Sequence, residues 1–80
     1  MDVTGEELRT VIGANVRDQR RIVGLTQRQL ATTVGVTDAQ ISRIEAGKSS
    51  PSVELLALLA DTLDTTPSTL LSKRKLEAVG

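Results

Sequence analysis

Cysteine, histidine and every aromatic residue are missing from this 80-residue chain, and each absence closes off a class of chemistry or architecture. Without cysteine there is no disulfide framework and no thiolate metal site, which fits a reducing cytoplasm. Without histidine or cysteine, the commonest general base and the thiol nucleophile are both gone. Asp61 and Asp64 stand close together in a helical stretch, but packing accounts for that helix, and no Walker-type phosphate loop is present. An enzyme is therefore not expected, nor a metal or cofactor. Without Phe, Tyr or Trp, the 39% hydrophobic share must build its core from Leu, Ile, Val and Ala. The alternating β-branched and aromatic runs that mark strands are absent too, which favours compact helices over a sheet. No apolar run approaches the ~20 residues of a membrane span, and no signal peptide is visible, so no membrane association is expected.

Eighty residues predict one small domain, with no separate sensor or catalytic module expected within them. A domain of this size buries only roughly 60% of the surface its unfolded chain exposes. Formal net charge is zero, but the charge is segregated. From Asn15 to Ser50, six basic residues (Arg17, Arg20, Arg21, Arg28, Arg43, Lys48) face three acidic ones (Asp18, Asp38, Glu45), a surplus of three positive charges. From Pro51 to Ser72 only Glu54, Asp61 and Asp64 are charged, a surplus of three negative ones.

The positive segment contains the most ordered pattern in the chain. Thr26-Gln27-Arg28-Gln29 reads as a capping box, with Leu30, Ala31 and Val34 on one helical face behind it. Gly35 can leave that helix through the left-handed region without strain. Thr37-Asp38-Ala39-Gln40 is a second capping box, with Ile41 and Ile44 as the next buried stripe. A turn this short makes the two helices cross steeply and share one apolar seam, which is the spacing of a helix-turn-helix.

The rest of the chain supplies three more helices. Thr4-Gly5-Glu6-Glu7 is a further capping box, and Leu8, Ile12 and Val16 follow at intervals of four. Gly13 interrupts this stripe at a cost of about 1 kcal/mol relative to Ala, which allows a later start near Thr10. Gly24 ends the first helix and Gly47 the third. Ser49-Ser50-Pro51-Ser52 leads into a fourth helix, where Val53, Leu55, Leu56, Leu58, Leu59 and Leu63 predict a broad apolar surface. Thr66 and Pro67 restart the chain as N-cap and first helical residue of a fifth helix through Leu70 and Leu71, with Leu76 as its alternative end. No internal repeat or low-complexity linker interrupts this all-α, five-helix reading.

These residues resemble the helix-turn-helix domain of the lambda repressor and Cro type, the XRE family. Ile12-Gly13, Val16-Arg17 and Arg20 resemble its first helix, and Gly24-Leu25-Thr26-Gln27, Leu30-Ala31 and Val34-Gly35-Val36 its second helix and turn. Ile41-Ser42-Arg43-Ile44-Glu45, Gly47-Lys48 and Pro51 resemble its recognition helix and exit, and Leu59-Ala60, Leu63 and Leu70-Leu71 its closing helices. The resemblance spans about residues 12–71 of a single domain over 1–80, leaving 1–5 and 73–80 as flexible or dimer-related tails. Gln19 departs from the pattern, since an apolar residue is common there, and Asp38 is an unusual acid at the start of a reading helix.

The resemblance implies a compact lambda-repressor-like fold whose third helix enters the major groove of double-stranded DNA, with helices two and three as the motif. On a helical wheel, Ile41 and Ile44 point inward, while Ala39, Arg43 and Ala46 share the opposite face, flanked by Gln40 and Ser42. Thr37, Asp38, Ala39, Gln40 and Arg43 are thus the base-reading candidates. The Arg43 fork matches guanine O6 and N7, Gln40 suits adenine or a phosphate, and Ala39 suits a thymine methyl. The alternative for Arg43 is a solvated side chain paired with Asp38 or Glu45. Gln27, Arg28, Ser42, Lys48, Ser49 and Ser50 are the phosphate candidates, which position the protein without reading sequence. For Gln27 the alternative is plain helix capping. Arg17 and Arg21 extend the basic surface or are simply solvated.

By the same resemblance, Arg20 and Glu45 form a structural ion pair beneath the recognition helix. Lys73-Arg74-Lys75 reads as a solvated terminus or as a DNA or partner contact. Leu70, Leu71, Leu76 and Val79 suggest a dimer surface, although the same leucines serve equally well to close the monomer's core. The implied function is a sequence-specific transcriptional regulator in the cytoplasm, associated with the nucleoid. It would be a repressor binding an inverted-repeat operator as a homodimer. The competing reading is an antitoxin-like or adaptor module whose main partner is another protein, with DNA binding secondary.

Overall fold

A computed structural model describes residues 4–73, and these form five α-helices: α1 (Gly5–Val23), α2 (Gln27–Val34), α3 (Asp38–Glu45), α4 (Val53–Thr62) and α5 (Pro67–Leu71). No strand occurs among the described residues. Three helix starts are capping boxes. The Thr4, Thr26 and Thr37 hydroxyls accept from the backbone N–H of Glu7, Gln29 and Gln40, whose side chains accept in return from the cap N–H. Each box satisfies two backbone donors that a helix start would otherwise leave open. Ser52 caps α4, and Thr66 with Pro67 starts α5.

Ile12, Val16, Leu30, Ala31, Val34, Ile41, Ile44, Leu59, Ala60, Leu63 and Leu70 make one continuous core, with Leu8, Leu25, Val36, Leu55 and Leu56 packed around it. α1 packs on α3 and α5, and α2 on α3 and α4. The second and third helices meet at Gly35, whose φ of 82° lies in the left-handed region that a Cβ disfavours. The N–H groups of Gly35 and Val36 both donate to the Ala31 carbonyl, closing α2 so that the chain turns directly into α3.

Four expectations need correcting. α1 begins at its Thr4 cap and runs unbroken through Gly13, so there is no later start near Thr10. Val53 and Leu58 are exposed, because α4 buries only the side that carries Leu59 and Ala60. Asp64 is not on a helix with Asp61: it lies past the end of α4 with φ of 59°. An Asp tolerates this conformation better than most residues. Leu70 is 1% exposed and closes the monomer's own core, which removes it from a dimer surface. Leu71 is exposed, whereas Leu76 and Val79, with Arg74 and Lys75, lie outside the described residues.

Candidate nucleic-acid interface

The third helix is gripped from behind and open in front. Ile41, Ile44 and Glu45 are buried, while Asp38, Ala39, Gln40, Ser42, Arg43 and Ala46 are exposed. That division follows from eight residues at 100° per residue with two isoleucines three apart. Thr37 stands at the entrance as N-cap, and its hydroxyl accepts from the Gln40 N–H at 3.1 Å. The Gln40 side-chain oxygen accepts from the Thr37 N–H at 2.9 Å, which leaves its amide NH2 free to face outward. Along one side of α3, Gln40 and Arg43 share a cleft with Ser49, Ser50 and Pro51. Arg28 on α2 and Lys48 beyond α3 are exposed.

Behind the helix, Glu45 joins three elements. Its Oε2 accepts from Arg20 Nε at 2.7 Å, and its Oε1 accepts from Arg20 Nη2 and from Gln27 Nε2, each at 3.0 Å. Arg20 Nη1 donates to the Leu25 carbonyl at 2.9 Å in the α1–α2 connection. The paired side chains are only 11% and 3% exposed, so the ions are largely withdrawn from water. The bidentate fork, with a third donor on the carboxylate, offsets that desolvation. The hydrogen bond to Glu45 is the main reason the Arg20 guanidinium is held above its already high ordinary pKa; burial opposes it and the Glu45 charge adds to it. A raised pKa on a cation means stability that is complete below the unfolded value and lost only above it. That window lies far into alkali, so Arg20 adds no pH dependence near neutrality. Glu45 turns beneath α3 toward Arg20, which leaves it unavailable as a partner for Arg43 on the opposite face.

A second set of contacts, absent from the sequence reading, seats α3. An added Cβ on Gly13 would lie 2.3 Å from the Ile44 carbonyl oxygen and 2.8 Å from that of Glu45. The α1 backbone therefore touches the end of α3 directly. Asn15, 7% exposed, was not foreseen either. Its Nδ2 donates to the carbonyls of Leu70 and Ser72 at 2.8 Å each, closing the end of α5. One turn later Gln19 Nε2 donates to the Leu63 carbonyl at 2.9 Å, closing the end of α4. The departure of Gln19 from an apolar pattern thus has a physical role. A polar amide one residue from Val16 was the available signal for Asn15, but no partner carbonyl can be read from spacing.

A helix-turn-helix family model matches residues 16–70. An uncharacterised HTH-type transcriptional regulator of Haemophilus influenzae is 34% identical over 70 residues, covering 82% of this chain and 71% of that protein. The control protein C.SmaI of Serratia marcescens is 29% identical over 76 residues, covering 95% of this chain and 90% of that protein. The crystal structure of the clp gene regulator ClgR from Corynebacterium glutamicum matches with a TM-score of 0.77 at 34% identity, over 80% of this chain and 68% of ClgR. The fold also occurs within the hydroxypropylphosphonic acid epoxidase from S. wedmorenis, with a TM-score of 0.76. At 23% identity, and over 35% of that enzyme, the likeness is one of fold alone.

Proposed function

The chain belongs to the XRE-type helix-turn-helix family of DNA-binding transcriptional regulators, and we propose that it acts by placing α3 in the major groove of a specific operator as a homodimer. The observation that carries this reading is the division of α3. Its inner face is fastened by Ile41, Ile44 and the Glu45–Arg20 pair, and its whole outer face is free. A helix about 10–12 Å across fits a major groove about 12 Å wide, where base pairs present distinct donor and acceptor patterns.

In this reading Arg43 reads guanine, Gln40 uses its outward amide on a base or phosphate, and Ala39 packs on a thymine methyl. Thr37 and Asp38 approach the bases at the helix entrance. Arg28, Ser42, Lys48, Ser49 and Ser50 hold the backbone on either side. Gln27 gives one amide N–H to Glu45 and keeps a second for phosphate, at a helix start where open N–H groups already favour an anion. Repression follows from occupancy of the operator, in the cytoplasm at the nucleoid. The similarity to a protein named as a control protein, along 90% of its length, supports a regulatory role.

Selection of bound fragments from random DNA tests the reading. The expected result is one enriched sequence with two-fold symmetry. Uniform recovery of all sequences would overturn specific binding.

A further inference from the structure

Gln40, exposed in the first turn of α3, has the oxygen of its side-chain amide used up within the protein. Its Oε1 accepts from the Thr37 N–H at 2.9 Å and from the Thr37 hydroxyl at 3.2 Å, and that hydroxyl in turn accepts from the Gln40 N–H at 3.1 Å. An amide oxygen has two lone pairs, so two donors leave it no acceptor capacity. Turning the amide over would set its NH2 against the Thr37 N–H, donor against donor, so the capping box also fixes which end faces outward. Among the described residues nothing accepts from that NH2. Three residues on, Arg43 lines the same cleft and also carries donors only.

We propose, resting on the placement of α3 in the major groove argued above, that Gln40 determines specificity by selecting guanine and rejecting adenine. The two-bond contact of a glutamine with adenine needs an amide oxygen for N6–H2 as well as an N–H for N7, and the Gln40 oxygen is taken. Guanine presents N7 and O6 side by side, both acceptors, which suits the two N–H groups that remain. Thymine offers O4 as its one acceptor, and cytosine offers a donor. A phosphate oxygen also accepts, but the first residues of a helix-turn-helix reading helix are the ones that meet base edges, and Gln40 stands among them.

Gln40→Glu is the informative variant. A carboxylate there still accepts from the Thr37 N–H and keeps the capping box, while an acceptor replaces the outward NH2. Its helical spectrum and melting curve should match those of the wild type, which separates a change of reading from a loss of fold. Fragments are then selected from random DNA with both proteins, and the enriched duplexes are titrated. The wild-type site should contain a guanine whose replacement by adenine weakens binding by about 5- to 150-fold, the range of one good base contact. Gln40→Glu should change preference at that position alone, toward the exocyclic amino group of cytosine or adenine. A wild-type preference for adenine or thymine at the position that Gln40→Glu changes would overturn the proposal. The same enriched sequence for both proteins, with Gln40→Glu uniformly weaker, would put the amide on a phosphate and overturn it too. No enriched sequence for the wild type would overturn the major-groove reading itself, and the proposal with it.

Discussion

At the scale of single residues, Arg43 and Gly13 affect α3 in opposite ways, one through what it presents and the other through what it lacks. Arg43 is exposed at the middle of the outer face of α3, and its planar fork would suit one guanine in the proposed reading. Arg43→Ala should weaken binding to the selected site by about 1–3 kcal/mol and relax preference at one base pair per half-site. Arg28→Ala or Lys48→Ala should instead weaken all duplexes alike and flatten the salt dependence by about one unit. Titrations on selected and scrambled duplexes distinguish the two, and equal losses for Arg43→Ala on both would remove it from base reading. Gly13→Ala gains about 1 kcal/mol of helix propensity but drives a Cβ into two backbone carbonyls. Overpacking of this kind costs about 1–3 kcal/mol, and the atoms met are backbone rather than the end of a flexible side chain, so denaturant melts should show net destabilisation. A stabilised Gly13→Ala protein would mean that α1 and α3 separate easily.

Among elements, the recurring device is a polar side chain on one helix that closes or orients another. Arg20 on α1 and Glu45 on α3 orient α3, with Gln27 of α2 as a third participant. Removing either partner leaves the other poorly solvated, so Arg20→Ala and Glu45→Ala should each destabilise the fold, by at most about 3–5 kcal/mol, the loss from a fully buried pair. The double mutant should cost less than their sum, and strict additivity in melts would show that the two are uncoupled. Asn15 and Gln19 perform the same service for the ends of α5 and α4. The Asn15 bonds and the burial of Leu70, rather than helix propensity, hold the short α5 in place, since five residues are too few for a helix to stand alone. The helix starts are different in kind, because each capping box lies within four consecutive residues. For that reason the boundaries of α2 and α3 were legible in the sequence, whereas the contacts that seat α3 were not.

For the whole molecule, the question is how a helix as short as α3 would select a site if it enters the groove as proposed. A single helix contacts too few base pairs, and two-fold dimers solve this by reading two half-sites. The operator should then be an inverted repeat with half-site centres about 34–36 Å apart, or a multiple of that. Ultracentrifugation at tens of micromolar should find a dimer, and footprinting should find symmetric protection. A monomer that protects an asymmetric site would rule out the homodimer. With Leu70 in the core, the larger apolar exposures are Ile22 at 71%, Val53 at 81% and Leu58 at 50%, so the dimer surface need not include the C-terminal residues.

Properties that depend on neighbours in the chain were determined by the sequence itself. These are the all-helical composition, the capping boxes, the turn at Gly35, the inward isoleucines of α3 and the positive charge gathered around them. Local hydrogen bonds and helical periodicity need no knowledge of the rest of the fold. The tertiary structure alone decided which apolar residues were surplus and which polar ones were buried. Val53 and Leu58 are as hydrophobic as Leu59 yet lie on the wrong side of α4, and Leu70 is core only because α1 comes back against α5. Asn15 is tolerated in the interior because carbonyls 55 and 57 residues away meet it. Gly13 is required because a carbonyl 31 positions further along the chain arrives at its Cα. Such pairings depend on how helices stack in space, and side-chain periodicity along one helix carries no record of what will be placed against it.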